Sequence, residues 1–513
     1  MVAYLHFAFL VEIMLRNPSL ISILAIAVVC TLGGIPQPQG SNLTRVAPIS
    51  LQQVPLASSG PANRNYDHAT VAMNSDRDII VAFHSTINSS LKQVEIACYE
   101  YQPGDTWNYM GTEIVGGTGH DPLQLVSPDS VKCERPDVVA VGDRFFVVWT
   151  RRYQGVTNHL NEPAVLECAW VDLSGGSIAI KRNAMPQGQG VELDAHDLSL
   201  GSTHDFWVRE CGGVPDAVPL NDPNNPYSVA VVYPHQKQFS IPQQSEDRTF
   251  ELRVVTCVYD DALGSVTPGS VELLVPTIQF NGQSSPNPGA SSGGLILPEV
   301  APSLQEGAFW LAAERQIEVG TPVAIEGKIY LGYWKWEADV WTEKASRTYQ
   351  TGTTGLTYYR RRPMISAYPE LGQSPTVGLA FNKIDVSGAT PNIDVIYKQV
   401  TYDPTGGFNN VLAFPQWPNS TGVDDHKPAS VMGRVAASLA VAYAGRTPGQ
   451  GGASSDLINN NGIVIDTSPH ITNSRPGLAY QYYSGATDPD YVAVCWEKTM
   501  TQNGQLVVWL GVE

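Results

Sequence analysis

A pair of short apolar segments recurs along this chain of 513 residues. The first segment follows a polar or basic residue, commonly with proline next to it, and alternates in polarity. The second segment is strongly apolar and in most copies ends in an aromatic residue. Copies of the first segment begin near residues 68, 135, 204, 302, 363, 428 and 476, and copies of the second span 79–83, 145–149, 229–233, 309–313, 377–381, 439–443 and 492–496. Recurrence of one unit predicts a repeat architecture.

Each unit has the composition of β-structure. β-Branched and aromatic residues dominate the apolar segments, and short turns with glycine, proline or aspartate join them. A third segment ends in an aromatic or apolar residue and an acid, as in Tyr99-Glu100 and Tyr402-Asp403, and a weaker fourth segment follows in several copies. The mature chain has no sustained apolar spacing of helical period. The sequence therefore predicts an all-β protein built from four-stranded units.

Four-stranded units that cannot bury their faces alone suit a β-propeller. The seven copies predict seven blades, and six remain possible because the unit at 427–470 is poorly defined. The N-terminal segment 43–49 alternates in polarity and is predicted to close the last blade as its fourth strand, which protects a sheet edge. The turn-rich stretches 212–226, 281–298 and 445–462 are predicted to be insertions. An array of β-sandwiches is the alternative architecture.

The composition excludes two classes of protein. The chain has 31 Lys and Arg against 49 Asp and Glu, a formal charge of −18. A nucleic-acid-binding protein is not expected, because neutralising phosphates needs a basic face. Apolar residues make up 43% and charged residues only 16% of the chain, which excludes a disordered protein.

The first forty residues resemble an export signal. An apolar run at 20–32 follows Arg16, and small residues follow the run. The run is shorter than the roughly 20 apolar residues of a membrane span, so a retained anchor is the alternative. We therefore predict a signal peptide and short linker at 1–40, a single β-propeller domain at 41–513, and no membrane span in the mature chain. The expected location is secreted, periplasmic or at the cell surface.

Six cysteines remain after the export signal. Cys98, Cys168 and Cys257 occupy similar places in similar strands, where a thiol packs as a small apolar group. Cys133 and Cys211 are predicted to lie in loops and are the better candidates for a disulfide, which export permits.

The Arg-Pro strand, the glycine turn and the apolar strand ending in Trp or Tyr resemble the repeats of exported bacterial β-propellers, including the sialidase-like class. The Tyr-Asp-turn-aromatic element is also similar to a Kelch repeat. The resemblance covers most of 66–512 and implies the propeller fold. The Ser-x-Asp-x-Gly-x-x-Trp boxes of sialidases and the double glycine of Kelch repeats are missing from this sequence. The resemblance therefore implies no particular activity.

The first strand of a propeller blade lines the central channel, so the residues at its start converge on one channel mouth. The residues at these positions are His68, Arg135, His204, Arg362, Lys427 and Arg475. Convergent basic groups predict a site for a carboxylate, sulfate or phosphate, for which Arg offers paired donors. Alternatively, each basic residue pairs with a neighbouring acid, such as Glu134, and fixes one blade to the next. A sialidase-like site would add Tyr359 as nucleophile and Asp67 as acid.

Two further groups of residues have both a functional and a structural interpretation. Glu192, Asp194 and His196 share one face of an extended segment and could bind a divalent cation such as calcium, or form an exposed polar loop. No other cofactor is expected. Aromatic residues cluster at Tyr330, Tyr333, Trp334, Trp336 and Trp341. They form either a platform for sugar rings or the packing face between sheets.

Together these patterns predict a secreted or cell-surface β-propeller that acts as a binding or scaffolding module. Its expected partner is an extracellular glycan or protein, with anionic glycans bound at the channel mouth. The alternatives are a carbohydrate-active enzyme, such as a sialidase-like glycoside hydrolase or a lyase acting on acidic sugars, and a subunit of an extracellular assembly. The sequence leaves catalysis open and favours binding.

Overall fold

The computed structural model describes an all-β protein, as predicted. The described residues are 52–53, 65–88, 91–117, 131–153, 164–194, 205–207, 215–239, 247–281, 293–303, 305–319, 324–349, 358–367, 375–385, 392–413, 424–432, 439–446, 455–459, 464–471, 477–481, 491–499 and 506–512. Within these ranges there is no α-helix, and a single turn of 3-10 helix spans Ser174–Gly176. No helix in the described part of the chain has the length and apolar character that crossing a membrane requires.

Thirty strands are described. The first half comprises β1 (Gln52–Gln53), β2 (Asn65–Met73), β3 (Ile79–Asn88), β4 (Leu91–Gln102), β5 (Thr106–Gly116), β6 (Val131–Val141), β7 (Arg144–Tyr153), β8 (Ala164–Asp172), β9 (Ala179–Lys181), β10 (Val191–Asp194), β11 (Asp205–Trp207), β12 (Asp216–Pro219), β13 (Ser228–Phe239), β14 (Asp247–Asp260) and β15 (Ser265–Asn281). The second half comprises β16 (Gly293–Pro302), β17 (Ala308–Val319), β18 (Ala324–Glu337), β19 (Val340–Tyr349), β20 (Tyr358–Ala367), β21 (Thr376–Asp385), β22 (Asn392–Asp403), β23 (Gly407–Ala413), β24 (Asp424–Met432), β25 (Leu439–Arg446), β26 (Ser455–Asn459), β27 (Val464–Ile471), β28 (Gly477–Gln481), β29 (Tyr491–Thr499) and β30 (Leu506–Val512).

These strands form five hydrogen-bonded sheets, almost entirely antiparallel. Their members are β2–β10, β11–β15, β16–β19, β20–β23, and β24–β30 with β1. The first sheet is joined in its middle by one parallel bridge between Lys92 and Lys132, and the last by one bridge between Ile471 and Lys498. β1 pairs with β30, so a segment from near the start of the sequence completes the last sheet. The predicted closing segment 43–49 lies outside the described residues, as does the predicted signal peptide at 1–40.

Several predicted boundaries were wrong. The repeat start near 302 is the end of β16, which begins at Gly293. The true start has Leu297-Pro298 where other copies have a basic residue before proline, so the pattern was not recognised. The stretches predicted as insertions also carry strands, since 212–226 contains β12, 281–298 contains the start of β16, and 445–462 contains β26.

A β-bulge explains the recurring proline. In five strands, two residues lie opposite one residue of the partner strand. The bulged pairs are 68–69 in β2, 135–136 in β6, 297–298 in β16, 362–363 in β20 and 427–428 in β24. The second residue of the pair is proline in all but β2. Proline has no N–H to donate to the ladder, and a bulge is one of the few places in a sheet that accepts it. The repeated Arg-Pro pattern is therefore a bulge signal.

Polar contacts connect strands of neighbouring sheets. We call β2, β6, β12, β16, β20, β24 and β28 the leading strands. Each contacts the next in this order, and β28 contacts β2. Asp137 in β6 accepts a hydrogen bond from the Thr70 hydroxyl at 3.2 Å and from the Ala217 N–H at 2.9 Å. In the same way Asp216 accepts the Val300 N–H at 2.6 Å.

The core lies between the faces of adjacent sheets. One apolar cluster joins Phe146 and Trp170 of the first sheet to Tyr233 and Val255 of the second. Within the first sheet, the fully buried Arg151 binds Glu167 with two hydrogen bonds, from Nε at 2.9 Å and from Nη2 at 3.0 Å. Pairing of this kind is what allows a charge to be buried at all.

The predicted role of Cys133 was wrong. Cys133 lies in β6 rather than in a loop, is buried, and its thiol donates to the Gly117 carbonyl at 3.4 Å. Its suggested partner Cys211 lies outside the described residues. The packing role predicted for Cys98, Cys168 and Cys257 is confirmed, because all three are buried free thiols.

Replacing Asp137 should weaken the junction between leading strands. Asp137→Ala leaves the Ala217 N–H and the Thr70 hydroxyl without their acceptor, and we expect a loss of about 1–3 kcal/mol in the free energy of unfolding. Urea denaturation measures this loss. Asp76→Ala, which removes an exposed carboxylate from the β2–β3 turn, is the matched control and should change stability by less than about 0.5 kcal/mol. Equal effects of the two substitutions would contradict the junction.

Candidate anion-binding site

Two of the predicted site residues, His68 and Arg135, occupy equivalent bulge positions in β2 and β6. Both have left-handed backbone conformations, with φ of 53° at His68 and 56° at Arg135. This conformation is costly for residues other than glycine, at about 1 kcal/mol or more. Bulges of this kind redirect a side chain at a sheet end and are frequent next to functional sites. The same local strain at two repeated positions therefore marks the middle of the two leading strands as a candidate site.

A buried histidine connects these two bulges. His84, at the end of the apolar segment in β3, has its ring stacked on the His68 ring with centroids 4.9 Å apart. Its Nδ1 accepts the backbone N–H of Arg135 at 3.3 Å. Its Nε2 lies 3.4 Å from Lys92 Nζ, so the same ring also contacts the basic cluster.

Glu134, next to Arg135, is the acid at the centre of a basic cluster. Its carboxylate lies 2.9 Å from Lys92 Nζ and 2.8 Å from Arg152 Nη2. Burial acts to raise the pKa of Glu134, but the positive charges of Arg152, Lys92 and Arg135 together lower it to about 2. Glu134 is therefore ionised at neutral pH. Other acids lie nearby, since Glu497 accepts the Ala69 N–H at the β2 bulge and Glu167 binds Arg151. Glu134 is thus the counter-ion that Lys92 and Arg152 share.

The other predicted residues are placed only in part. Arg362 and Lys427 take the bulge positions of β20 and β24, in the same register as Arg135 in β6. Their side chains lie outside the described part of the structure, as do those of Tyr359 and Asp67. His204 and Arg475 lie outside the described residues altogether. The structure thus brings together His68 and Arg135 and aligns two more positions by register.

Three residues of the cluster were missed by sequence analysis: His84, Lys92 and Arg152. They come from β3, β4 and β7, the strands beside the leading strands, so only the strand register brings them to the bulges. One signal was available. His84 follows Phe83, and Arg151-Arg152 follows Trp149 by two residues, so polar residues after the aromatic end of the apolar segment mark the same end of the sheet.

The predicted metal ligands are partly engaged with protein groups. Asp194 accepts a hydrogen bond from the Tyr233 hydroxyl and lies 3.6 Å from Arg253 Nη1. The partner residues of Glu192 and Asp194 in β8 are adjacent, so a bulge separates the two acids. His196 lies outside the described residues. Among the residues that are described, no group of three or more His, Cys, Asp or Glu side chains could hold a metal ion.

The predicted aromatic cluster divides into two parts. Tyr330, Tyr333 and Trp334 are buried between the sheets and form part of the core. Trp336 and Trp341 are only half-buried. The packing interpretation is therefore confirmed for the three buried residues, and a platform for sugar rings at Trp336 and Trp341 stays a prediction.

Among comparisons with known proteins, only the comparison with solved structures finds proteins similar to this chain. No protein-family model matches the chain, and no curated protein matches it. The chain is similar to Trypanosoma rangeli sialidase in complex with the inhibitor DANA, at 10% identity and a TM-score of 0.38, over 91% of this chain and 60% of that one. It is also similar to the GH93 alpha-L-arabinofuranosidase of Fusarium graminearum with arabinobiose, at 9% identity and a TM-score of 0.40, over 90% and 98% of the two chains. A Dyadobacter fermentans protein of unknown function gives 10% identity and a TM-score of 0.38, over 91% and 99%. These values do not establish a family for this chain.

The low pKa of Glu134 predicts a pH-dependent contribution to stability. Because the pKa is lowered on folding, the stabilisation is complete above the ordinary value of 4.5 and is lost as the pH falls from 4.5 towards 2. The difference in unfolding free energy between the native chain and Glu134→Gln should shrink by about 3 kcal/mol over this window. Denaturant titrations at pH 7, 5, 3 and 2 measure it.

The exposed carboxylate of Glu306 supplies the control. Glu306→Gln should change the free energy of unfolding by less than about 0.5 kcal/mol at pH 7, since this carboxylate lies in the β16–β17 turn away from the cluster. If the unfolding free energy of Glu134→Gln stays below that of the native chain by the same amount from pH 7 to pH 2, Glu134 is not ion-paired.

Proposed function

We propose that this chain is an exported seven-bladed β-propeller that binds acidic glycans at the bulges of its leading strands. The first sheet divides into two units at the Lys92–Lys132 bridge, and the last sheet divides into two at the Ile471–Lys498 bridge. With the other three sheets this gives seven units, and each contains one leading strand. The circular order of contacts among the leading strands, in which β28 meets β2, supports a ring. A hydrogen bond from the Ala69 N–H to Glu497 at 3.3 Å also links the last unit to the first.

The observation that carries the proposal is the repeated placement of basic residues at the bulge. Arg135, Arg362 and Lys427 share this position in three leading strands. In a ring, equivalent positions of all blades lie at the same end around one axis. Basic side chains gathered at these positions would attract anions locally although the whole chain carries a charge of −18. A guanidinium donates paired hydrogen bonds to carboxylate or sulfate, the charged groups of acidic sugars.

Binding is favoured over catalysis by the state of the acid at the site. A glycosidase needs a carboxyl group that holds a proton near neutral pH, and such a group has a raised pKa. The pKa of Glu134 is lowered instead, so it is unsuited to act as a general acid. A hydrolase acting through Asp67 and Tyr359 remains the alternative, and turnover of an acidic glycoside would identify it.

Binding of acidic sugars tests the proposal. We expect 3′-sialyllactose or a trimer of galacturonate to bind in isothermal titration calorimetry, and uncharged lactose not to bind at this site. Arg135→Ala should weaken binding about tenfold or more, because a hydrogen bond to a charged group contributes about 1.5–3 kcal/mol. Binding should also weaken as salt is added.

Lys181→Ala is the matched control for Arg135→Ala, because it also removes one positive charge but lies in β9, away from the bulges. This variant should bind like the native chain. The proposal is wrong if neither acidic sugar binds at millimolar concentration, or if Arg135→Ala binds as tightly as Lys181→Ala.

A further inference from the structure

A cavity lies between the β11–β15 and β16–β19 sheets, away from the bulge of β16. It has a volume of about 520 Å³. Leu220, just after β12, and Gly307, in the turn after β16, line it, whereas the bulge of β16 is at 297–298 in the middle of the strand. Cavities of about 300–1,000 Å³ are typical of small-molecule sites.

Two tryptophans form one wall of this cavity. Trp336 and Trp341 are partners across the β18–β19 hairpin, with ring centroids 5.3 Å apart and ring planes at 64°. Trp341 also packs edge-to-face on the buried Phe309 at 4.8 Å. The backbone N–H of Trp336 donates to the Gly307 carbonyl at 2.8 Å, and the backbone N–H of Gly307 donates to the Leu220 carbonyl at 3.0 Å. The aromatic wall is therefore fixed to both sheets before any ligand arrives.

The rest of the lining is polar and carries net negative charge. Asp222, Glu306 and Glu337 supply three carboxylates against the single cation Lys335. The hydrogen bond from the Asn225 side chain lowers the pKa of Asp222, and that from Lys344 lowers the pKa of Glu337, so both are ionised at neutral pH. An anionic ligand is disfavoured in such surroundings.

A buried hydroxyl in the cavity wall is a separate indication of a ligand. Ser228 is 4% exposed, lines the cavity, and has an Oγ that neither donates to nor accepts from any group among the described residues. A buried hydroxyl without a partner is costly, by about 1–3 kcal/mol. A ligand hydroxyl in the cavity would satisfy it.

We propose that this cavity binds a neutral oligosaccharide. The C–H face of a pyranose packs on an indole face, whose π-electrons carry partial negative charge. Sugar hydroxyls both donate and accept hydrogen bonds, which matches a lining with the carboxylates of Asp222 and Glu306, the amide of Asn224 and the ammonium of Lys335. A quaternary ammonium ion would use the rings and the negative charge but none of these donors. The site differs from the proposed acidic-glycan site in position and in ligand charge, and it does not depend on that proposal.

Titration of the full chain with uncharged sugars tests the site. The probes are cellotriose, maltotriose and mannotriose, with indole fluorescence and calorimetry as readouts. We expect at least one to bind, with a change in tryptophan emission, and 3′-sialyllactose not to compete with it. Binding of none of the three at millimolar concentration overturns the proposal. So does displacement of the sugar by tetramethylammonium chloride at constant ionic strength, which would identify a cation site.

Substitutions then locate the binding. Trp336→Ala should weaken binding of the sugar about tenfold or more, Trp336→Phe should weaken it less, and Glu306→Gln should weaken it about threefold. The matched control is Trp107→Ala, which removes a half-buried tryptophan from the equivalent hairpin of β4 and β5. If Trp336→Ala fails to fold, Trp336→Phe and Glu306→Gln carry the test. Unchanged affinity in these two variants, or equal loss in Trp107→Ala, overturns the assignment. Arg135→Ala should leave sugar binding at this cavity unchanged, whatever its effect on acidic sugars.

Discussion

One backbone position in five leading strands, where two residues face one, determines which side chains this protein presents there. At the bulge of β6 the extra residue lies opposite Trp149, and at the bulge of β20 it lies opposite Phe381. Proline occupies the position where no N–H is needed. At β6 the residue before proline, Arg135, has a left-handed backbone conformation. Basic residues at that position are aligned by the sheet itself.

The electrostatics of the basic cluster follow from this alignment. Glu134 lies one residue before the bulge, where Lys92 and Arg152 reach it from two different strands. Their charges outweigh the effect of burial on its pKa and keep the carboxylate ionised. An ionised acid held by cations from two strands keeps their side chains in place. The cluster therefore combines a fixed geometry with basic groups from several strands.

Sequence patterns predicted the parts of this structure that depend on local chemistry. The alternating polarity and the aromatic ends predicted the strands, whereas the recurring proline was interpreted as a strand start and is a bulge inside the strand. Pairing between strands was beyond such patterns. His84, Lys92 and Arg152 join the site only through register, and Cys133 was placed in a loop because the strand before the bulge was not recognised. At Leu297 the basic residue is missing, so the start of β16 was assigned several residues too late. The sequence could not distinguish the half-buried Trp336 and Trp341 from their buried neighbours, because burial depends on which residues the adjacent sheet covers.

The pairing of β1 with β30 has a consequence for how the chain acquires its structure. The edge of the last sheet is made by Gln52 and Gln53, whose partners are Leu510 and Trp509. A ribosome delivers these two segments at opposite ends of synthesis, so the early segment stays without its partner until nearly all of the chain has emerged. Contacts between such distant parts of a chain form slowly, because a long loop must close before they are made. Assembly of the last sheet is then a late event, and β1 is among the last strands to be fixed in place.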